Sequence, residues 1–510
     1  MILAVDLGTT NCKVLALDHS CRIIHSARLE YPIASPRQGW AEQNPEAWWD
    51  AVRSAVRSVA SKAGGQQINV IGISGQMHGL VALDGGGKVL RPAILWNDQR
   101  AEAHCQQVYA ATGGREGLAA LTNNAMLPGY VGGKLLWMRE KEPDTFARVR
   151  TILLPKDYIL HRMCGEYSTD VSDASGTGLF DVRARTWARG LLDTLGIPEA
   201  WLPRVRESRE MAGTLRREAA EELGLAEGTP IIAGGGDAVM QTVGAGVLTE
   251  REVLVVIGTG GNVTTTVTAC PQLPGPNTQV FCHVIPDAWV ALGVTLNAGN
   301  ALKWYRNLSF ATERFTTAKD GDDAYAALAD RAAESAPGAG GLLFLPYLQG
   351  ERCPHADPDA RGCLIGLNLR TREQDIVRSI MEGVALSLLD VFTTLTRNGN
   401  SRVRVVASGG GAASQLWRQI LADTFGCEVV TKEFGEDASA LGAGIVAGVS
   451  RGVWASETEA AALIRVTSTL QPDVGQVRLY RELFQIYQSL YPMLTSSFNG
   501  MARVMSGIGT

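Results

Sequence analysis

The sequence is poor in histidine, with seven residues in 510, and its nine cysteines form no Cys-x-x-Cys pair and no Cys/His cluster. That argues against a zinc site, and cysteines scattered in this way point to reduced thiols rather than a disulfide framework. No polybasic run occurs, and the formal net charge is −5. Nucleic acid and anionic membrane surfaces are therefore poor partners. No apolar run is long enough to span a bilayer. Met1-Ile-Leu-Ala-Val-Asp6 lacks a basic n-region and reaches an acid too early for a signal peptide, so it reads as the start of a strand. These absences predict a soluble, cytoplasmic protein.

Glycine is plentiful, at 57 residues, and falls in clusters after apolar runs. That distribution predicts many tight turns between buried strands. A chain of 510 residues predicts two or three domains. The most informative turn is Pro230-Ile-Ile-Ala-Gly-Gly-Gly-Asp237, which leads into a helix-like run to Gly246. The glycines leave backbone without side-chain cover, so a substrate could approach Asp237 closely. Asp237 could be a general base reaching a hydroxyl proton, or it could cap the helix. From this stretch alone both readings stand.

Ile2 to Val5 is an apolar run that reaches Asp6, and Gly8-Thr9-Thr10-Asn11 then turns it into a second strand from Cys12. A carboxylate at the end of a buried strand needs a partner, and a hard cation such as magnesium would serve. The backbone around Gly8 and the hydroxyls of Thr9 and Thr10 could hold phosphate oxygens. An ordinary hairpin capped by Asp6 is the alternative. The layout returns in Glu252–Ile257, Gly258-Thr259-Gly260-Gly261 and a Val/Thr-rich return strand, which suggests an internal duplication.

Elsewhere, Asn44-Pro45-Glu46 predicts a helix start, with Trp48, Val52, Val56 and Val59 on its buried face. Gly75-Gln76-Met77-His78-Gly79 exposes Met77 and His78 at a loop tip, and Trp96-Asn97 ends another apolar run, where α/β folds place ligand contacts. Thr371 with Gln374 has the pattern of a capping box. Ser408-Gly-Gly-Gly411 before a helix could seat a nucleotide. The glycines of the run from Asp437 through Gly442 and Gly444 would let two helices, or a helix and a purine, come close.

In this order the motifs resemble the FGGY carbohydrate kinases, within them most closely the xylulokinases, along almost the whole chain. The pieces that carry the resemblance include DLGTT (Asp6–Thr10), GQMHG (Gly75–Gly79), RPAILWND (Arg91–Asp98), LLPKDY (Leu153–Tyr158), GGGD (Gly234–Asp237) and LPYLQGERCPH (Leu345–His355). The resemblance implies an α/β fold of two actin-like (ribonuclease H-like) ATPase domains around a central cleft, each with a mixed five-stranded sheet. Residues 1–247 would bind the sugar and carry the base, and residues 248–510 would bind the nucleotide. It implies phosphorylation of D-xylulose to D-xylulose 5-phosphate, with ATP and Mg2+ as cofactors and a homodimer as a possible assembly. Asp237 would be the base, with Gln76, Met77, His78, Trp96, Asn97 and Gln241 on the sugar side. Asp6 would face the metal, with Gly8, Thr9, Thr10, Asn11, Gly258 and Thr259 against phosphates. Gly299, Gly409, Gly410, Gly411, Ala412 and Gln415 would line the nucleotide.

If Asp237 begins a helix, the helix dipole predicts an ionised, weak base. Ala238-Val-Met240 stands where xylulokinases have Asn-Ala-Ala, so Gln241 or another group would replace that asparagine. Gly-Thr-Gly-Gly stands at 258–261 for their usual Gly-Thr-Ser-Gly, and Asn297-Ala-Gly-Asn300 also departs from the pattern. These departures leave open a kinase for another ketose, a polyol or a polyol-like metabolite. A rival of another class is an actin-like nucleotide switch, which would need neither Asp237 nor the Met77-His78 loop.

Overall fold

The computed structural model describes residues 1–63, 67–271, 277–309, 321–396, 403–433 and 435–508. Each half of the chain builds one mixed sheet. The first contains β1 (Ile2–Leu7), β2 (Asn11–Leu17), β3 (Ile23–Glu30), β4 (Val70–Gly75), β5 (Met211–Thr214) and β6 (Pro230–Ile232), in the order β3-β2-β1-β4-β6-β5. The short β7 (Gly235–Gly236) continues this sheet along β4. The second contains β8 (Glu252–Ile257), β9 (Gly261–Val267), β10 (Gln279–Cys282), β11 (Trp289–Thr295), β12 (Arg404–Ser408), β13 (Val429–Lys432) and β14 (Val466–Leu470). Its order is β10-β11-β9-β8-β12-β13-β14.

The two orders share one pattern. In each, two antiparallel steps build a meander through the Gly-Thr hairpin, two parallel steps follow, and an antiparallel edge strand closes the series. The duplication suggested by the hairpins thus extends to whole sheets. Each sheet has seven strands rather than the expected five. Six strands of each follow the shared pattern, and the strands outside it are β7 in the first sheet and β10 in the second.

The central strands are apolar on both faces because helices cover both. The helices used below are α1 (Pro45–Lys62), α2 (Pro155–Cys164), α3 (Asp237–Gly244), α4 (Gly299–Ser309), α5 (Glu373–Leu395), α6 (Gln415–Phe425), α7 (Ala438–Ser450) and α8 (Val474–Ile508). Asn44 caps α1 by accepting from Glu46 N, and Trp48, Val52, Val56 and Val59 are buried beneath it. The capping box of α5 sits one residue later than expected. Arg372 is the cap residue, and its N–H donates to Asp375 at 2.9 Å, a charged acceptor that Gln374 cannot match.

The other face of the first sheet is covered by α7, which belongs to the second half. The small residues of α7 serve helix and sheet packing rather than a purine. A Cβ on Gly442 would lie 2.0 Å from Met240 O in α3, one on Gly244 would lie 1.9 Å from Ala438 O, and one on Gly72 of β4 would lie 2.1 Å from Ala443 O. So α3 and α7, one from each half, cross in backbone contact. Among the described residues no helix is long and apolar enough to cross a membrane.

Gly442→Ala should therefore wedge α3 from α7 and destabilise the protein by about 1–3 kcal/mol, the usual cost of overpacking. Gly500→Ala, with open space around its Cβ in α8, should leave stability unchanged or raised by up to about 1 kcal/mol. Denaturant melts of the two variants check the contrast.

Candidate active site

β1 carries Asp6 to the rim of the first sheet, between Lys13 of β2 and Ser74 of β4 in register. The turn that follows closes when Gly8 N donates to Asn11 O at 3.0 Å. Other segments then fix it: Tyr31 donates to Gly8 O at 2.5 Å, Gln43 Nε2 to Thr9 O at 2.7 Å, and Trp96 Nε1 to Thr9 Oγ1 at 2.9 Å. Thr10 Oγ1 accepts from Asn11 Nδ2. Asp6 Oδ1 is buried and has no hydrogen-bond partner. An orphaned carboxylate oxygen of this kind suits a hard cation. Among the described residues no group of three or more His, Cys, Asp or Glu is placed to hold a metal ion. A cation beside Asp6 would thus keep most of its water, as magnesium does.

Asp237 is the first residue of α3, and Gly236, not Asp237, is its cap residue. The capping reading therefore fails. Asp237 Oδ1 accepts from Ala238 N at 2.7 Å, and the side chain is half-buried. Burial, and then the charge of Asp6, push its carboxyl up to about 7. Burial likewise raises Asp6 to about 6, with the neighbouring Ser74 hydroxyl and Lys13 opposing the rise and Asp437 adding to it. This corrects the expectation of a weak base. A helix dipole contributes about 0.3–1 kcal/mol at most exposed termini, which desolvation and a like charge together outweigh.

Of the residues expected on the sugar side, Met77 lies against the turn that precedes this acid. Met77, expected to be exposed at a loop tip, is instead buried, because it packs on the bare glycine turn, where a Cβ on Gly236 would lie 2.6 Å from Met77 Cγ. His78 has a left-handed backbone with φ 68°, and its Nδ1 lies 2.6 Å from Gly176 O. A carbonyl only accepts, so Nδ1 carries the proton and Nε2 is left as an acceptor. Burial pushes His78 down to about 3, so the ring is neutral. It stacks on Tyr130 at 4.5 Å, and Gln279 of β10, from the second half, donates to the Tyr130 hydroxyl at 2.6 Å. Buried Lys134 donates to His78 O at 2.8 Å and to Ile94 O at 3.1 Å.

Gln76 Nε2 donates to Gln43 Oε1 at 3.1 Å, while Gln76 Oε1 is buried without a partner. Through Gln43 the sugar-side loop and the first Gly-Thr turn are one network. Trp96 is 43% exposed and joins that network through Thr9. Asn97 is exposed beside it, on a loop anchored by buried Asp98, which pairs with Arg100 at 2.7 Å. Gln241 lies one helical turn beyond Asp237 and is half-buried.

The expected nucleotide residues gather around the second Gly-Thr turn. Gly299 N donates to Gly258 O at 2.8 Å, and Ala298 N and Asn300 N both donate to Thr259 O at 3.0 Å. The start of α4 thus grips the hairpin. Gly409 has φ 84°, and a Cβ there would lie 2.7 Å from Ile257 O. Gly410 and Gln415 are exposed next to this contact. The methyl group of Ala412 is buried in the core of the second half, so only its backbone can serve a ligand.

Residues 435–437 link the two groups. Ser408 Oγ donates to Gly435 O at 3.4 Å, Lys13 Nζ donates to Glu436 O at 2.8 Å, and Lys13 pairs with Asp437 at 2.5 Å. A short strip of backbone therefore connects the turn before Gly409 to the register partner of Asp6. Sequence reasoning missed Lys13, Gln43, Tyr130, Lys134 and Gln279; for Tyr130 and Lys134, which stand either side of Gly132-Gly133, that glycine pair is a signal that could have found them.

A profile for the N-terminal domain of the FGGY family of carbohydrate kinases matches residues 1–244, and one for its C-terminal domain matches residues 253–451. The chain is 34% identical to the xylulose kinase of Escherichia coli over 498 residues, covering 97% of this chain and 100% of that protein. It is 30% identical to the gluconokinase of Bacillus subtilis, covering 100% of this chain and 99% of that protein. The crystal structure of xylulose kinase from Rhodospirillum rubrum superposes with a TM-score of 0.90 at 28% identity, over 98% of this chain and 99% of that one.

Because the folded protein holds Asp237 above its ordinary value of 3.8, the acid ionises later in the folded chain than in the unfolded one. Its contribution to stability is intact below about pH 4 and is lost as pH rises towards about 7, at up to roughly 1.4 kcal/mol per pH unit. Asp237→Asn removes that loss. Its gain in melting temperature over the parent, both free of ligand, should be larger at pH 8 than at pH 5. An equal difference at both values contradicts the shift.

Proposed function

This chain belongs to the FGGY family of carbohydrate kinases and is a phosphotransferase acting on sugars, and on that premise we propose that it phosphorylates D-xylulose with ATP to give D-xylulose 5-phosphate. The observation that carries the proposal is the half-buried Asp237, raised to about 7 beside Asp6 at the end of a bare glycine turn that also seats Met77. A base with that value is poised for proton transfer near neutral pH.

In this reading the terminal hydroxyl of the sugar gives its proton to Asp237. Its oxygen bonds to the γ-phosphorus as the bond from that phosphorus to the ADP oxygen breaks. Neutral His78 accepts a sugar hydroxyl at Nε2, and Met77, Gln76 and the Trp96-Asn97 loop bound the acceptor. The backbone from Gly8 to Asn11 and at Gly258-Thr259 holds phosphate oxygens. Gly299, Gly409–Ala412 and Gln415 hold the rest of the nucleotide. Asp6 with surrounding water fits magnesium, which when bound neutralises charge on the transferred phosphate. The proposed division at 247/248 falls in the connector between α3 and β8. Closing of the two domains would exclude water as a competing acceptor.

A second reading, an acceptor other than D-xylulose, draws support from the full-length likeness to a gluconokinase and from Ala238 in place of the expected asparagine. Arg352 adds to it. Its half-buried side chain has no acidic partner within salt-bridge distance among the described residues, and its charge acts on both His78 and Tyr130, so it would suit an aldonate carboxylate.

Sugar-dependent ADP release, measured over D-xylulose, other ketoses, polyols and gluconate, tests both. D-xylulose should give the highest kcat/KM, and a higher value with gluconate would favour the second reading. Asp237→Asn should lower the best rate by about 10²–10⁴-fold. The acid limb of kcat/KM, near the value of about 7 set by burial, should disappear with it.

A further inference from the structure

Behind the glycine turn lies a fully buried charge cluster that the proposed chemistry does not use. Lys156, at the start of α2, pairs with Asp157 at 2.6 Å and Asp170 at 3.2 Å and lies 3.8 Å from Asp173. All four side chains are closed to solvent. Burial holds Asp157 and Asp173 above the usual carboxylate range, and neither oxygen of Asp173 has a hydrogen-bond partner. Stability alone does not explain such a cluster, because well-packed apolar residues in the same volume are often neutral or better.

The tethers of the cluster run to the backbone just before Asp237. Lys156 Nζ donates to Ala233 O at 3.2 Å. Ser172 Oγ donates to Asp170 Oδ2 at 2.5 Å and accepts from Gly236 N at 3.0 Å. Ser208 Oγ donates to the same Asp170 oxygen at 2.8 Å, and its backbone carbonyl accepts from Gly234 N at 3.1 Å. The glycines of the turn carry no side chain of their own to anchor it. Gly234 has φ +77° and a Cβ there would lie 2.0 Å from Ile73 O, while Gly236 is pressed against Met77. Three glycines in a row are also the most flexible backbone available. Their backbone is ordered by pairing with β4 on one side and by the tethers of the cluster on the other.

We infer that Ser172 and Lys156, anchored on Asp170, are positioning residues that hold the Ala233–Gly236 backbone so that Asp237 meets the acceptor hydroxyl. This rests on the reading of Asp237 as the base. The effect acts on the reacting geometry, where a displacement of about 1 Å can cost on the order of a hundredfold in rate.

Ser172→Ala and Ser208→Ala remove the same kind of bond to the same Asp170 oxygen, but only Ser172→Ala also removes a side-chain tether to the turn. Steady-state kinetics with the best sugar of the panel separates them, with Asp237→Asn assayed alongside. Ser172→Ala should lower kcat by about ten- to a hundredfold, with the sugar KM within about threefold. Ser208→Ala should change kcat by less than about twofold, even if both variants melt at similarly reduced temperatures. Ser172→Cys, which keeps a weak acceptor, should fall between the parent and Ser172→Ala, and it replaces Ser172→Ala should that variant fail to fold. Equal kcat in the Ser172 and Ser208 variants, with Asp237→Asn inactive, overturns the positioning role and leaves the base in place. Full activity of Asp237→Asn overturns the base, and this inference with it.

Discussion

Two carboxylates, Asp6 and Asp237, are brought from opposite ends of the first domain into poorly solvated positions, where the charge of Asp6 makes Asp237 harder to ionise. Without ligands that pairing is a cost, since burial raises both above their ordinary range. The surrounding structure makes the cost tolerable. Asp6 stands in register with Lys13, and Asp237 follows a turn whose backbone is tied down from behind. A cation at one acid and a hydroxyl at the other would give both the partners they lack.

The architecture explains how such a place can lie between two domains without collapsing. α3 and α7 cross in backbone contact because glycine occupies the crossing on both helices. The helix that begins with Asp237 is therefore fixed to the second half, and Ser439 of α7 donates to Asp237 O at 3.2 Å. β10 makes a second joint, where Gln279 reaches the tyrosine under His78. The proposed acceptor site is thus built by both halves.

Much of this was legible in the sequence, because its signals were local. A strand, glycines and an acid within eight residues announce Asp237, and two Gly-Thr hairpins announce the repeated sheet. What was not legible depended on distance along the chain. Lys156, Ser172 and Ser208 converge on one turn from three separate segments, and although Lys156 lies in the LLPKDY motif, nothing in that motif tells which turn it reaches. Gln43 joins Thr9 to Gln76 in the same unmarked way. The charge state of Asp237 was misread for a related reason. The helix start is local and visible, whereas the burial and the neighbouring acid that outweigh it arise only in the fold.

A crystal structure of the protein with D-xylulose and a non-hydrolysable ATP analogue would test the account most directly. It predicts the terminal hydroxyl within about 2.6–3.2 Å of the Asp237 carboxylate and the terminal phosphate between the two Gly-Thr turns. A sugar bound with that hydroxyl turned away from Asp237, or a phosphate held by neither turn, would contradict it.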